Sequence, residues 1–223
     1  MPLNTLFPTR VYTAQLSRGA SDDLNTRLLR ECRQLAMEDG AGQAWSETNY
    51  PGGYTSYSSL SRMHRMSPTF GALEKRIDAH VKTFAKSLDF DLAGRKLEMT
   101  DCWVNVMTRQ VVHGLHLHPL ATLSGTYYVR TPRNCSGLKF EDPRLDRFMA
   151  APPRRPRARR ENQIWVTLPA EQGNLVLFES WLRHEVASNP TVTERISISF
   201  NYSWFRSASP VSARWRASTP RSR

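Results

Sequence analysis

The chain has 223 residues, of which 39% are apolar and 10% aromatic. This length and composition predict a globular fold with a substantial core and argue against a disordered chain. No apolar run approaches the roughly 18–20 residues that span a bilayer. The first residues also lack the basic-then-apolar order of a secretory signal. We therefore expect a cytoplasmic protein.

The cysteines are three, an odd number, and lie far apart at Cys32, Cys102 and Cys135. Neither a disulfide framework nor a CxxC zinc pattern fits them. We expect reduced, buried thiols.

The net charge of +11 is concentrated in two segments. PPRRPRARR (152–160) and the stretch 206–223 each carry five arginines and no acid, so the rest of the chain is nearly neutral. Both segments are rich in Pro, Ser and Ala, which is typical of an exposed loop and a flexible tail. The charge leaves a weak anionic partner open, but it does not define the fold.

Two helices are predicted in the first part of the chain. Residues 21–38 place Ser21 at the N-cap, Asp22 and Asp23 in the first turn, and leucines on one face. Residues 67–88 begin with Ser67 and Pro68 and continue with an apolar stripe. Between the helices, residues 47–60 have the Gly, Tyr and Ser content of a loop.

The spacing of apolar residues changes from a helical pattern to a strand pattern at about residue 97. Seven short runs rich in β-branched and aromatic residues follow, separated by Gly, Pro, Asn or Asp. They are residues 97–108, 114–119, 122–132, 137–143, 164–170, 174–180 and 194–205. Consecutive strands without helices between them predict a β-sandwich or barrel. The fold class is therefore mainly β with N-terminal helices.

Histidines and one arginine form a candidate site. His116 and His118 share one face of a strand, because residues i and i+2 point the same way. They are either neighbouring metal ligands or two solvent-facing histidines, and His113 is expected off that face. Residues 174–186 read as a strand that leads into His184, which supplies a distant third imidazole.

Arg195 begins the strand 194–201 on its polar face, with Ser197 beside it. A buried guanidinium needs an anion, and it forks naturally onto a carboxylate. Oxygen-activating iron sites take about three facial protein ligands and leave positions open. Together these residues favour a metal site with a carboxylate clamp.

The order of the motifs resembles the Fe(II)/2-oxoglutarate-dependent oxygenase superfamily. It is most similar to a little-characterised bacterial and phage branch. The motifs are HLHP (116–119), SGTYYV (124–129), GLKFEDPR (137–144), NLVLFESWLRHEV (174–186) and ERISISFN (194–201), with LFPTRVY (6–12), GGYTS (52–56) and WVNV (103–106) also matching. The resemblance implies a double-stranded β-helix (jelly roll), flanked by two or more α-helices, with the metal at its open mouth.

In domain terms, the resemblance implies one oxygenase-like domain over residues 1–205. Its helical part covers about 1–95 and its jelly-roll core about 97–205, and 206–223 form a basic tail.

The resemblance implies a role for each candidate residue. His116 and His184 bind Fe(II), and Arg195 with Ser197 holds the far carboxylate of 2-oxoglutarate. Either Tyr127 or Tyr128 reaches that carboxylate, since alternation lets only one face inward.

The middle ligand departs from the superfamily pattern, which has Asp or Glu where this chain has His118. We expect His118 to bind, with Asp142 or a water as the alternative. The implied reaction couples decarboxylation of 2-oxoglutarate by O₂ to oxidation of a substrate C–H bond, most simply hydroxylation.

The substrate, a small molecule or a peptide, is not fixed by the sequence, nor is the oligomeric state. Candidate contacts are Trp103 and Asn105, together with Tyr54 and Tyr57 in a loop, residues 49–57, that either covers the mouth or packs on the surface. The arginine loop 152–160 either borders the same mouth, favouring an anionic substrate, or is a solvated insertion.

Two other functions compete with the oxygenase. One is a non-redox, cupin-like metal-binding protein or isomerase, which has no need for Arg195. The other is a basic nucleic-acid-binding protein whose binding depends steeply on salt and survives loss of His116 and His184.

Overall fold

The computed structural model describes residues 3–17 and 23–205. Ser21 and Asp22, expected at the start of the first helix, and the basic tail 206–223 lie outside these residues. Within them, no helix is long and apolar enough to cross a membrane.

Four helices precede the main run of strands. They are α1 (Asp23–Glu38), α2 (Gly40–Asn49), α3 (Met63–Met66) and α4 (Pro68–Ser87). The prediction for α4 is confirmed: the Ser67 hydroxyl accepts hydrogen bonds from the amides of Thr69 and Phe70, and Pro68 occupies the first position. Its apolar stripe is buried, with Phe70 and Ile77 fully inaccessible.

Helix α2 was not predicted, because its sequence GAGQAWSETN contains two glycines and no apolar stripe. The Asp39 carboxylate caps it by accepting from the Gly42 amide at 3.0 Å. The loop expected over 47–60 is therefore wrong for 47–49, which are helical. Tyr54 and Thr55 also form a short strand.

Ten strands form two antiparallel sheets in the described residues. The strands are β1 (Val11–Gln15), β2 (Tyr54–Thr55), β3 (Lys96–Met107), β4 (His113–His116), β5 (Leu123–Arg130), β6 (Leu138–Glu141), β7 (Trp165–Leu168), β8 (Asn174–Glu179), β9 (His184–Val186) and β10 (Arg195–Phe205). The larger sheet has the order β1-β8-β5-β10-β3-β2, and the smaller one β4-β9-β6-β7. This is the predicted jelly roll with flanking helices.

The strand predicted over 174–180 is β8 (Asn174–Glu179), but the expectation that it leads directly into His184 is wrong. The chain leaves the larger sheet after Glu179, turns through residues 180–183, and enters the smaller sheet at His184. The Leu182 amide donates to the Glu179 carbonyl at 2.9 Å and closes this turn. The turn carries His184 across to the strand that pairs with His116.

Alternating side chains divide the core in two. Leu175, Leu177 and Tyr127 face the helices and join a cluster with α1 and α4. Val176 and Tyr128, from the same strands, face the smaller sheet. Because successive strand residues point to opposite faces, the larger sheet is buried on both sides. The candidate site lies on the second face, between the sheets.

Candidate metal centre

Three histidines converge between the sheets. His116 ends β4, His184 begins β9, and the two lie directly opposite each other in the antiparallel pair. His118 follows two residues after β4, where its amide donates to the Ser180 carbonyl at 3.0 Å. One nitrogen from each ring lies within 4.8 Å of the other two. This spacing suits three ligands of one metal ion.

Backbone carbonyls orient two of the rings. His116 Nδ1 lies 2.7 Å from the Gly114 carbonyl oxygen, and His184 Nδ1 lies 2.9 Å from that of Leu182. A carbonyl only accepts, so each Nδ1 is the protonated nitrogen and each Nε2 keeps its lone pair. Metal-binding histidines are commonly fixed in this way.

Burial keeps the three imidazoles neutral. Burial first, and then the positive charge that neighbouring histidines would carry, lowers the pKa of His118 to about 3 and that of His184 to about 4. Burial also lowers the pKa of His116. Neutral imidazoles are ready to donate lone pairs at physiological pH, and imidazole suits iron among other first-row metals. The donor set therefore fits a divalent iron ion.

Asp142, the alternative to His118, is not part of the cluster. Its carboxylate accepts two hydrogen bonds from the Arg144 guanidinium, at 3.0 and 2.9 Å. Among the described histidines, cysteines and acids, the group with metal-binding spacing consists of His116, His118 and His184. The site thus brings together three neutral imidazoles with the spacing of metal ligands.

His113 was expected to lie off this face, and that expectation is wrong. Its ring stacks on His116 with centroids 4.6 Å apart, and it packs edge-on against Tyr50 at 5.4 Å. The reason is an irregularity between His113 and His116, where three steps on β4 match two on β9. Such a bulge turns an extra side chain onto the same face.

Arg195 is buried beside this cluster and has no acidic partner among the described residues. Only 2% of the residue is exposed. Its Nη1 lies 3.3 Å from Ser197 Oγ and 3.4 Å from Met107 Sδ, and the guanidinium sits 5.0 Å from the centre of the Tyr128 ring. A buried guanidinium held only by neutral groups is costly unless an anion joins it.

Four buried polar atoms near Arg195 also lack hydrogen-bond partners among the described residues. They are Arg195 Nε, Tyr128 Oη, Tyr50 Oη and Asn105 Oδ1. Buried polar groups are normally paired, so a cluster of unpaired ones indicates a missing ligand. Three of the four can donate, which suits a carboxylate such as that of 2-oxoglutarate.

Contacts in the structure decide between the two tyrosines. Tyr128 faces Arg195, whereas the Tyr127 hydroxyl donates to Asn25 Oδ1 in α1 at 2.8 Å. Tyr127 is therefore not part of the cavity, and Tyr128 remains the candidate.

Two adjoining cavities border the histidines. The inner one is lined by side chains from β3, β5, β9 and β10, which include Trp103, Asn105, Arg195 and Ser197. The outer cavity has a volume of about 300 Å³, and Trp45, Tyr50, Tyr57 and Trp103 supply its aromatic walls. Trp103 belongs to both, as do His113, His116 and His118.

Three of the four predicted substrate contacts line these cavities. Tyr57 lines the outer cavity, Asn105 lines the inner one, and Trp103 lines both. Tyr54 does not: its ring is buried in the helix-side core, and its hydroxyl donates to Asp39 Oδ2 at 2.9 Å. That expectation is wrong because the strand Tyr54–Thr55 turns the two side chains to opposite faces.

Sequence reasoning missed three of the residues at these cavities, Trp45, Tyr50 and Asn201. Trp45 lies in α2 and Tyr50 at its C-terminal end, and the sequence has no apolar periodicity that would predict this helix. Asn201 continues the polar alternation that already includes Arg195 and Ser197, so that pattern could have identified it.

Comparison with known proteins supports the fold. A family model of 2OG-Fe(II) oxygenases (2OG-FeII_Oxy_5) matches residues 101–201. No curated protein matches the chain.

Three solved structures share the fold over most of their lengths. A prolyl-4-hydroxylase from Pseudomonas putida is 16% identical, covering 89% of this chain and 94% of its own, with a TM-score of 0.57. HygX from Streptomyces hygroscopicus, with nickel, 2-oxoglutarate and hygromycin B bound, is 15% identical over 89% and 86%, with a TM-score of 0.58. The epimerase SnoN of nogalamycin biosynthesis is 18% identical over 87% and 76%, also at 0.58.

At these sequence identities the solved structures support only the fold. Residues 101–201 of this chain, which include the three histidines and Arg195, match the model of the 2OG-Fe(II) oxygenase family.

Proposed function

We propose that this chain is a hydroxylase that binds Fe(II) through His116, His118 and His184 and anchors 2-oxoglutarate on Arg195. The overall reaction is R–H + 2-oxoglutarate + O₂ → R–OH + succinate + CO₂. One oxygen atom enters the product and the other enters succinate, so atoms and electrons balance.

The observation that carries the proposal is the unpaired charge of Arg195. The guanidinium is almost fully buried, and the described residues that contact it, Ser197, Met107 and Tyr128, are all neutral. A carboxylate would remove the cost of burying this charge. A non-redox metal protein has no use for such an anion site next to three metal ligands.

The remaining residues would orient and protect the cosubstrate. Tyr128 and Ser197 lie on neighbouring strands, directly paired, and each brings a hydroxyl toward the guanidinium. Trp103 and Phe178 line the inner cavity and are 4% and 2% exposed, so they exclude water from it. Bound iron would supply the O₂ chemistry, and the protein would supply position and a dry cavity.

Hydroxylation is the outcome that asks least of the protein. Epimerisation needs a second hydrogen donor that returns a hydrogen to the substrate carbon. Transfer of oxygen to the same carbon needs no further side chain.

The direct test is an anaerobic titration of the metal-free protein with Fe(II) and 2-oxoglutarate. The visible charge-transfer band of the chelate reports binding. We expect the band in the wild type and its loss with His184→Ala. With Arg195→Met we expect no band at the 2-oxoglutarate concentration that saturates the wild type.

The matched control is Arg130→Met. Arg130 lies on β5 and has an acidic partner, Glu194, at 3.7 Å, so its loss should leave the band unchanged. A wild-type protein that binds iron and gives no band with 2-oxoglutarate would contradict the proposal. If the wild type gives the band, succinate release under air, with ¹⁸O from O₂ appearing in a product hydroxyl, would identify the reaction as hydroxylation.

A further inference from the structure

The outer cavity carries information about the substrate, because its chemistry differs sharply from that of the inner one. It adjoins His116 and His118, so whatever occupies it lies next to the metal centre. Its volume of about 300 Å³ is within the range of small-molecule sites.

The walls of the outer cavity are aromatic and apolar. Tyr57 packs edge-on against Trp103 with ring centroids 5.1 Å apart, and Trp103 in turn contacts the His118 ring at 5.8 Å. Trp45 and Tyr50 come from the helical side, and Val112, Leu117 and Pro119 complete the rim. Such surfaces favour flat or apolar groups that stack on them.

The lining carries no charge to pair with a charged substrate. Of the described residues that border the outer cavity, none is an acid, a lysine or an arginine. A charged group entering it would lose hydration without gaining a counter-ion. An ammonium group would in addition approach a divalent metal and Arg195.

Three polar side chains of the lining are already engaged by the protein, while the Tyr50 hydroxyl is buried and has no partner among the described residues. Asn201 accepts from Ser124 at 2.8 Å and donates to Asp101 at 3.3 Å. The Thr55 hydroxyl accepts from the Tyr57 amide, and the Asn49 amide group donates to the Trp45 carbonyl. Few polar atoms are therefore left for the substrate, which again favours an apolar one.

We infer that the outer cavity takes an uncharged, ring-bearing organic group and presents it to the metal centre. This inference rests on the proposed function, since it needs a metal ion at the three histidines. The aromatic surfaces of Tyr57 and Trp103 contact the ring, and the absence of counter-ions in the lining excludes carboxylate, phosphate and ammonium groups. The arginines of 152–160 do not line this cavity, so they do not select the substrate.

The test uses three probes of one shape and different charge: 2-naphthalenemethanol, 2-naphthoate and 2-naphthylmethylammonium. Each is titrated by NMR into the protein loaded with Mn(II) and 2-oxoglutarate. We expect the neutral alcohol to bind at least 10-fold more tightly than either ion. We also expect its naphthyl protons to relax rapidly, because the paramagnetic Mn(II) lies close to the cavity.

Two variants tie binding to the cavity. Tyr57→Ala removes a wall residue that is 51% exposed, so the fold should tolerate it, and binding of the alcohol should weaken at least 5-fold. Trp204→Ala is the control: Trp204 is 43% exposed, lies under Arg95 at the far end of β10, and should have no effect.

Three results would overturn the inference. They are binding of an ionic probe as tight as or tighter than that of the alcohol, binding of the alcohol that Tyr57→Ala does not weaken, and bound naphthyl protons that Mn(II) does not relax. The iron titration above separates the two claims. Failure of the probes in protein that gives the charge-transfer band overturns this inference alone, whereas absence of the band from the wild type overturns the proposed function.

Discussion

The imidazole rings of His118 and His184 lie in parallel planes, 2° apart, with their Nε2 atoms 3.3 Å from each other. The His116 ring completes the group, with its centroid 4.3 Å from that of His184. Neutral imidazoles that turn lone pairs toward a common point are stabilised by a shared cation. This relationship predicts that His118 is a ligand in its own right.

We expect His118→Ala to lower Fe(II) affinity by more than about 100-fold, because loss of a partner outside the ligand shell alone costs about 10–100-fold. Calorimetric titration of the metal-free protein with Fe(II) under nitrogen measures it. The matched control is His113→Ala, which removes a neighbouring ring outside the cluster and should cost less than about 10-fold. The reverse ranking would make His113 the ligand.

The second prediction concerns the two tyrosines of β5, whose replacement by phenylalanine should affect fold stability and 2-oxoglutarate binding differently. The Tyr128 hydroxyl is buried and has no geometric hydrogen-bond partner among the described residues, and burial raises its pKa despite the nearby Arg195, so it stays a neutral donor. Tyr128→Phe should leave the free energy of unfolding unchanged or raise it by about 1 kcal/mol, since an unpaired buried group is costly. It should weaken 2-oxoglutarate binding about 10-fold or more, because the variant cannot donate a hydrogen bond to the carboxylate.

The neighbouring Tyr127→Phe is the control for Tyr128→Phe. The Tyr127 hydroxyl donates to Asn25, so its removal should destabilise the fold by about 1 kcal/mol and leave 2-oxoglutarate binding unchanged. Urea unfolding and titration of 2-oxoglutarate into iron-loaded protein measure the two quantities. Equal effects of both variants on binding would remove Tyr128 from the site.

Much of the site was predictable because strand alternation is a local rule. Arg195 and Ser197 share a face, as do Trp103 and Asn105, and each pair lines the inner cavity. The start of α4 was also predictable from local signals, since Ser67 and Pro68 mark it in the sequence. The choice between Tyr127 and Tyr128 was not, because alternation separates two faces without saying which faces the site.

What the sequence did not reveal depends on contacts between distant segments. His113 reaches the site through a bulge that pairing with β9 creates. The turn at 180–183 contains neither Gly nor Pro, so the change of sheet before His184 has no local signal. Tyr50 is buried against Val111 and Met107 only because α2 packs there, and α2 itself lacks an apolar stripe.

A third prediction concerns Gly125 in β5. A Cβ at this position would lie 2.5 Å from the Val176 carbonyl oxygen and 2.6 Å from the Phe200 ring. Gly125→Ala should therefore lower the free energy of unfolding by about 1–3 kcal/mol, as overpacking of a core does. Gly114→Ala, where a Cβ meets nothing within 4 Å, is the matched control and should change it by less than about 0.5 kcal/mol. Urea denaturation of both variants measures the difference.

A fourth prediction concerns pH and Asp39, which ties α2 to the loop after it. Burial raises the pKa of the Asp39 carboxyl, but hydrogen bonds from Ser59, the Gly42 amide and Tyr54 outweigh it, and the net pKa is lowered. A lowered pKa means that the folded state favours the carboxylate. The stabilisation is complete above the unfolded pKa of about 3.9 and disappears as the pH falls through the folded pKa.

Asp39→Asn should therefore cost about 1 kcal/mol at pH 7, and the two proteins should converge in stability as the pH falls below about 4. Thermal unfolding between pH 3 and 7 measures this difference. Asp23→Asn is the control, because the Asp23 side chain is 82% exposed and its pairing with Arg27 contributes little. A difference between wild type and Asp39→Asn that persists at low pH would show that the charge of Asp39 is not the cause.

The last prediction concerns the arginine loop, for which we propose a weak anionic partner outside the cavities. Strand β6 ends at Glu141, whose amide donates to the Arg183 carbonyl at 3.0 Å, so the loop leaves the sheet beside His184. Its side chains are exposed, apart from contacts such as that of Arg154 with the Phe148 ring at 5.6 Å. Exposed arginines bind polyanions mainly by releasing counterions, which makes binding depend on salt.

Replacing the five arginines of 152–160 with serine should weaken binding of single-stranded DNA at 50 mM salt and flatten its salt dependence. The slope falls by roughly 0.7 for each phosphate that the protein no longer neutralises. Fluorescence anisotropy of a labelled oligonucleotide at several salt concentrations measures both effects. Iron and 2-oxoglutarate binding should be unchanged, because none of the five arginines lines either cavity. An unchanged slope would exclude the loop and leave the arginines of 206–223 as the source of any binding.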